Sequence, residues 1–104
     1  MFPNMGTLVD DGFGEAVLTK FARKHPLARK PLSRFLAILT SATWPHFPGL
    51  KRTFSSAHYA PATGVTIFDI GGNKYRVVAI VNFEKRIVLI QEAFTHEEYN
   101  RENL

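Results

Sequence analysis

The segments Val65-Thr66-Ile67-Phe68-Asp69-Ile70, Gly71-Gly72-Asn73, Lys74-Tyr75-Arg76-Val77-Val78-Ala79-Ile80-Val81-Asn82-Phe83, Glu84-Lys85 and Arg86-Ile87-Val88-Leu89-Ile90-Gln91-Glu92-Ala93-Phe94 follow one another without interruption. β-Branched and aromatic residues fill the long segments and turn formers fill the gaps, which predicts strands over 65–70, 74–83 and 86–94. Connections this short join antiparallel neighbours, so the three strands form a meander. In the middle segment Tyr75, Val77, Ala79, Val81 and Phe83 share one face, and Arg76, Val78, Ile80 and Asn82 share the other. Both faces therefore carry apolar residues, and Arg76 is the charge that interrupts the second.

Downstream, Thr95-His96-Glu97-Glu98 reads as a capping box, the Thr95 hydroxyl and the Glu98 carboxylate each satisfying a backbone donor, so a short C-terminal helix starts there. Upstream, Ala16, Val17, Phe21 and Ala22 recur at helical period from Gly14, and His25-Pro26 ends that helix. A second helix is expected from about Pro31, burying Leu32, Phe35, Leu36 and Leu39. Trp44, Pro45, Phe47, Pro48 and Gly49 read as a packed loop, too rich in proline for a helix or central strand and pinned to the core by Trp44 and Phe47. Residues 7–9 read as a short opening strand. With no internal repeat, the order is strand or coil, two helices, three or four strands and a short helix, an α+β domain.

At 104 residues and 45% hydrophobic, the chain suits one domain over 1–104 with one core. It has no cysteine, which excludes a disulfide framework and a thiolate metal site. No stretch nears the roughly 18 to 20 apolar residues of a membrane span. Residues 1–10 lack the build of a signal peptide, so a cytoplasmic protein with no membrane partner is expected. Lys and Arg exceed Asp and Glu by 13 to 9, a net +4, which favours an anionic partner. Between Ala16 and Phe68 there is no acidic residue, while Lys20, Arg23, Lys24, Arg29, Lys30, Arg34, Lys51 and Arg52 all fall there.

The common motifs for metalloprotease, nucleotide hydrolase, serine hydrolase and cysteine nucleophile are missing. His96 with Glu97 or Glu98 makes a poor metal pair, because adjacent helical residues diverge, and no metal or other cofactor is expected. What remains is a basic and proton-transferring set, Lys51, Arg52, Arg76, His96 and Tyr99, suited to cutting RNA without metal. There the 2′-hydroxyl of the RNA is the nucleophile, and the protein supplies a base, an acid and cations for the charged phosphorane. His96 stands in the first turn of the capped helix, where backbone N–H groups and the helix dipole favour an anion, and Tyr99 shares its face. Purely structural roles are the alternative: packing for His96 and Tyr99, and for Arg76 a salt bridge to Asp69 or Glu92. His25, His46 and His58 read as surface or packing residues.

The run Phe68-Asp69-Ile70-Gly71-Gly72-Asn73-Lys74-Tyr75-Arg76-Val77-Val78-Ala79, followed by Thr95-His96-Glu97-Glu98-Tyr99, resembles the HigB family of type II toxins. The similarity extends to Trp44, Pro48, Leu50, Lys51 and Phe54, and more loosely through both helices. It implies a RelE-like fold, two N-terminal helices on one face of a small antiparallel sheet of three to four strands. It also implies an endoribonuclease that cuts mRNA, commonly in the ribosomal A site, silenced by a helix-turn-helix antitoxin through which alone DNA is contacted. Carried over by position, it points to Arg76 and Lys51 for phosphate and transition-state charge, His96 for proton transfer, Tyr99 for positioning or proton transfer, and Asn73 for turn geometry. RNA contacts are expected from Asn73, Lys74, Arg52, Arg34 and Lys30. Two other functions use the same cations: a non-catalytic RNA- or ribosome-binding module, and a subunit whose basic face binds an acidic antitoxin.

Overall fold

The computed structural model describes residues 6–9, 13–72 and 74–102. Its elements are β1 (Leu8–Val9), α1 (Phe13–Lys24), a 3₁₀ turn (Pro26–Ala28), α2 (Arg29–Ser41), α3 (Phe47–Thr53), β2 (His58–Ala60), β3 (Val65–Ile70), β4 (Tyr75–Asn82), β5 (Ile87–Thr95) and α4 (His96–Glu102). One sheet of order β1-β5-β4-β3-β2 holds all five strands. Its centre is the antiparallel meander β3-β4-β5. The sheet is wider than the expected three to four strands because β2 adds an antiparallel edge and β1 a parallel one, Leu8 beside Ile87 and Val9 beside Val88. Strands of two or three residues leave little periodicity to read.

Helices α1 and α2 bury one sheet face. Leu18, Phe21, Leu32, Phe35 and Leu39 meet Phe68, Tyr75, Val77, Ala79, Val88 and Ile90 in one core. Leu32, Phe35 and Leu39 are buried as their spacing predicts; in α1 the expected stripe shifts, because Leu18 faces the sheet and Ala16 is exposed. His25-Pro26 does end α1, and the 3₁₀ turn leads into α2 two residues before Pro31.

The loop expected over 44–49 is in part a helix, α3. Its prolines do not forbid it: Pro48 lies in the first turn, where the missing N–H is not needed. His46 caps it, Nδ1 accepting from the Gly49 N–H at 3.4 Å. Trp44 and Phe47 pack against the core as anticipated.

Opposite the helices, β5 has to change phase. Ile90 is buried in the core and Glu92 is exposed, although residues two apart on a strand share a face. A register shift resolves this: Ala79 pairs with Ile90 but Val78 pairs with Glu92, leaving Gln91 as the extra residue. Beyond it Glu92 and Phe94 join Val78 and Arg76 on the face away from α1 and α2. At the β3–β4 turn Gly71 and Gly72 have φ of +65° and +64°, which glycine adopts without penalty.

Candidate active site

Three elements converge where the sheet face away from α1 and α2 meets the start of α4. The β3–β4 register sets Asp69 directly opposite Arg76, and the β4–β5 register sets Phe94 opposite it on the other side. Arg76 is 9% exposed, and burying a guanidinium requires partners. Its Nη1 is 3.0 Å from Asp69 Oδ1, and its Nη2 is 3.2 Å from His96 Nδ1. The Tyr99 ring lies against the guanidinium, 5.1 Å from its carbon to the ring centroid, a cation–π distance. Of the salt-bridge partners considered, Asp69 is therefore the one used; the register shift leaves Glu92 opposite Val78.

The capping box holds His96 and Tyr99 there. Thr95 N–H donates to Glu98 Oε1 at 2.9 Å and Glu98 N–H to Thr95 Oγ1 at 3.1 Å, closing the box reciprocally. His96 N–H donates to the Lys74 carbonyl at 2.9 Å, tying α4 to the start of β4. His96 and Tyr99, three apart, share the helix face that meets Arg76.

Hydrogen bonding from the Thr95 backbone holds the Glu98 carboxyl below its usual range; burial opposes this, and Lys24, His25 and the Thr95 hydroxyl add to it. A depressed carboxylate stabilises the fold above its unfolded pKa of about 4.3, and that contribution is lost as pH falls through the lowered folded value. Thr95→Ala removes one arm of the box and is expected to cost about 1 kcal/mol, measured by urea denaturation. Amide exchange should show the loss confined to α4.

The remaining expected residues are more dispersed. Lys51, exposed on α3, donates from Nζ to the Ala57 carbonyl at 2.7 Å. Ala57 directly precedes β2, and β2 lies two strands from β4, roughly 10 Å between backbones. Arg34 lines a shallow groove of about 210 Å³ with Asp69, Gly71 and Gly72, on the other side of the turn. Lys74 joins the site through its carbonyl, with an exposed side chain. Arg52 and Lys30 are exposed on α3 and α2, and no described contact links them to Arg76. Asn73 lies outside the described residues. Lys24 and His25 stand close enough to Glu98 to act on its charge, an approach of distant segments that no local pattern reveals.

This constellation sets a donor-only guanidinium, an imidazole and a phenol side by side. A family model for HigB toxins, the RelE-like toxic component of a toxin-antitoxin system, matches residues 28–102, through β3, β4 and the site. The chain belongs to the HigB toxin family. It is 50% identical over 55 residues to the mRNA interferase toxin HigB of Escherichia coli K12, covering 52% of this chain and 46% of that protein. The mRNA interferases HigB of Escherichia coli O157:H7 and Shigella flexneri match to the same extent. The chain thus spans about half the length of the curated relatives it matches. The α+β architecture agrees with a RelE-like fold, and no helix among the described residues is long and apolar enough to cross a membrane.

Proposed function

We propose that this chain is a metal-independent endoribonuclease, the toxin of a type II toxin-antitoxin pair, that cuts mRNA in the cytoplasm, on the translating ribosome, and is silenced by a cognate helix-turn-helix antitoxin. The observation that carries the reading is Arg76 held between Asp69, His96 and Tyr99 on the sheet face away from α1 and α2. Family membership and relatives named mRNA interferases support it.

In the reaction the 2′-hydroxyl gives up its proton to a base and its oxygen attacks the adjacent phosphorus. The bond to the 5′-oxygen breaks, that oxygen takes up a proton, and the fragments end in a 2′,3′-cyclic phosphate and a 5′-hydroxyl. Arg76 offsets the charge that grows on the non-bridging oxygens. His96 and Tyr99 are the hydrogen-bonding side chains beside it, and Lys51, Arg34, Arg52, Lys30 and Lys74 hold the flanking phosphates. Backbone charges of this kind bind RNA without reading sequence and give way as salt rises.

Induction of the wild type in a bacterial host is expected to arrest growth and create new 5′ ends inside translated frames. His96→Ala and Arg76→Ala, accumulated to the same level, should lose both effects. Wild type that creates no new ends, or both variants cutting normally, overturns the catalytic reading in favour of a binding module.

A further inference from the structure

Arg76 meets His96 at a defined atom, Nη2 standing 3.2 Å from Nδ1. A guanidinium has donors only, so this contact is a hydrogen bond when Nδ1 offers its lone pair. A neutral imidazole carries one ring proton, and with Nδ1 accepting, that proton sits on Nε2. The other half of the fork is occupied by Asp69, 3.0 Å from Nη1, the two side chains being 11% and 20% exposed. Asp69 is directly opposite Arg76 in the β3–β4 ladder, so backbone pairing fixes the carboxylate. Tyr99 lies against the guanidinium.

We propose that Asp69 is a positioning residue of the RNA-cleaving site. By fixing Arg76 it holds His96 as the neutral Nε2–H tautomer, so that His96 offers the phosphate a hydrogen-bond donor and does not take the 2′-hydroxyl proton. This rests on the ribonuclease reading and revises the proton-transfer role expected of His96. In this tautomer Nε2 has no free lone pair, and the lone pair of Nδ1 is committed to Arg76, so neither nitrogen faces the 2′-hydroxyl as an acceptor. A fixed neutral donor still stabilises negative charge on a non-bridging oxygen without reorganising during the reaction. Without the Asp69 carboxylate, the ion pair that fixes Nη1 is lost, and the tautomer is held less firmly.

The test reads the imidazole nitrogens of ¹⁵N-labelled protein by long-range proton–nitrogen correlation, in the wild type and Asp69→Asn. In parallel, mRNA cleavage in a translating extract is followed for both and for His96→Gln and His96→Ala. In the wild type His96 is expected to show an unprotonated Nδ1 and a protonated Nε2; Asp69→Asn should give a mixture of tautomers and about tenfold slower cleavage, the scale of one charge-assisted hydrogen bond. The Gln amide donates near the Nε2 position and transfers no proton, so His96→Gln should stay within about tenfold of wild type while His96→Ala loses about a hundredfold. A wild-type proton on Nδ1, an Asp69→Asn protein unchanged in tautomer and rate, or a Gln variant as inactive as Ala overturns the proposal. A wild type that cuts no RNA removes the ribonuclease reading instead, and the nitrogen spectra still decide whether Asp69 and Arg76 set the tautomer.

Discussion

Arg76→Ala is expected to slow RNA cleavage by about two to three orders of magnitude, the scale of losing a preorganised donor aimed at developing charge. One side chain gathers the site: removing it leaves His96 Nδ1 and the Asp69 carboxylate without their shared partner and Tyr99 without the cation against its ring. Asp69, 20% exposed, then keeps a carboxylate with fewer donors, so stability should also fall, by about 1–3 kcal/mol. Arg76→Lys separates charge from geometry. An ammonium is a point charge that lacks the planar fork, so it cannot hold Asp69 and His96 in the same way. Lysine should keep most of the stability and recover only a small part of the rate. Single-turnover cleavage beside urea denaturation measures both effects; full activity in the alanine variant would remove Arg76 from the reaction.

Phe68→Ala is expected to cost about 3–5 kcal/mol, the range for deleting a buried phenyl ring, a large fraction of the roughly 5–15 kcal/mol that holds a domain of this kind folded. Phe68 is fully buried and stands at the centre of an aromatic cluster, its ring centroid 4.9 Å from that of Phe35 and 5.2 Å from that of Phe54. α2 and the residue that follows α3 thus both meet β3 at the residue before Asp69, and little can collapse into the void. The urea midpoint should drop sharply with an unchanged slope. Phe68→Leu, which keeps most of the volume, should cost much less. A loss below about 1 kcal/mol in the alanine variant would mean that the cluster contributes little.

The meander was legible because runs of β-branched and aromatic residues stand between strong turn signals, and the capping box because its two residues lie three apart and bond each other. Arg76, His96 and Tyr99 could be named from motif spacing, and the structure brings them together. The rest depends on relations that sequence spacing does not carry. Asp69 is the partner of Arg76 because the β3–β4 ladder sets the two opposite each other, while the extra residue at Gln91 brings Glu92 onto the same face beside Val78, and a bulge leaves no reliable local signature. β2 is too short to show a period, and α3 was hidden by a proline whose position in the first turn is harmless. Lys24 and His25, at the end of α1, act on the Glu98 charge from a distant part of the chain. The Lys51 ammonium rests on the Ala57 carbonyl, which precedes the edge strand.

The chemistry of the cut ends tests the central claim most directly. From cells in which the wild-type chain has been induced, the new mRNA ends should be 5′-hydroxyls that accept phosphate from a polynucleotide kinase, with 2′,3′-cyclic phosphates upstream, and neither should form with Arg76→Ala. New ends bearing 5′-phosphates, or an equal yield of ends from Arg76→Ala, would contradict cleavage by the RNA's own 2′-hydroxyl at this site.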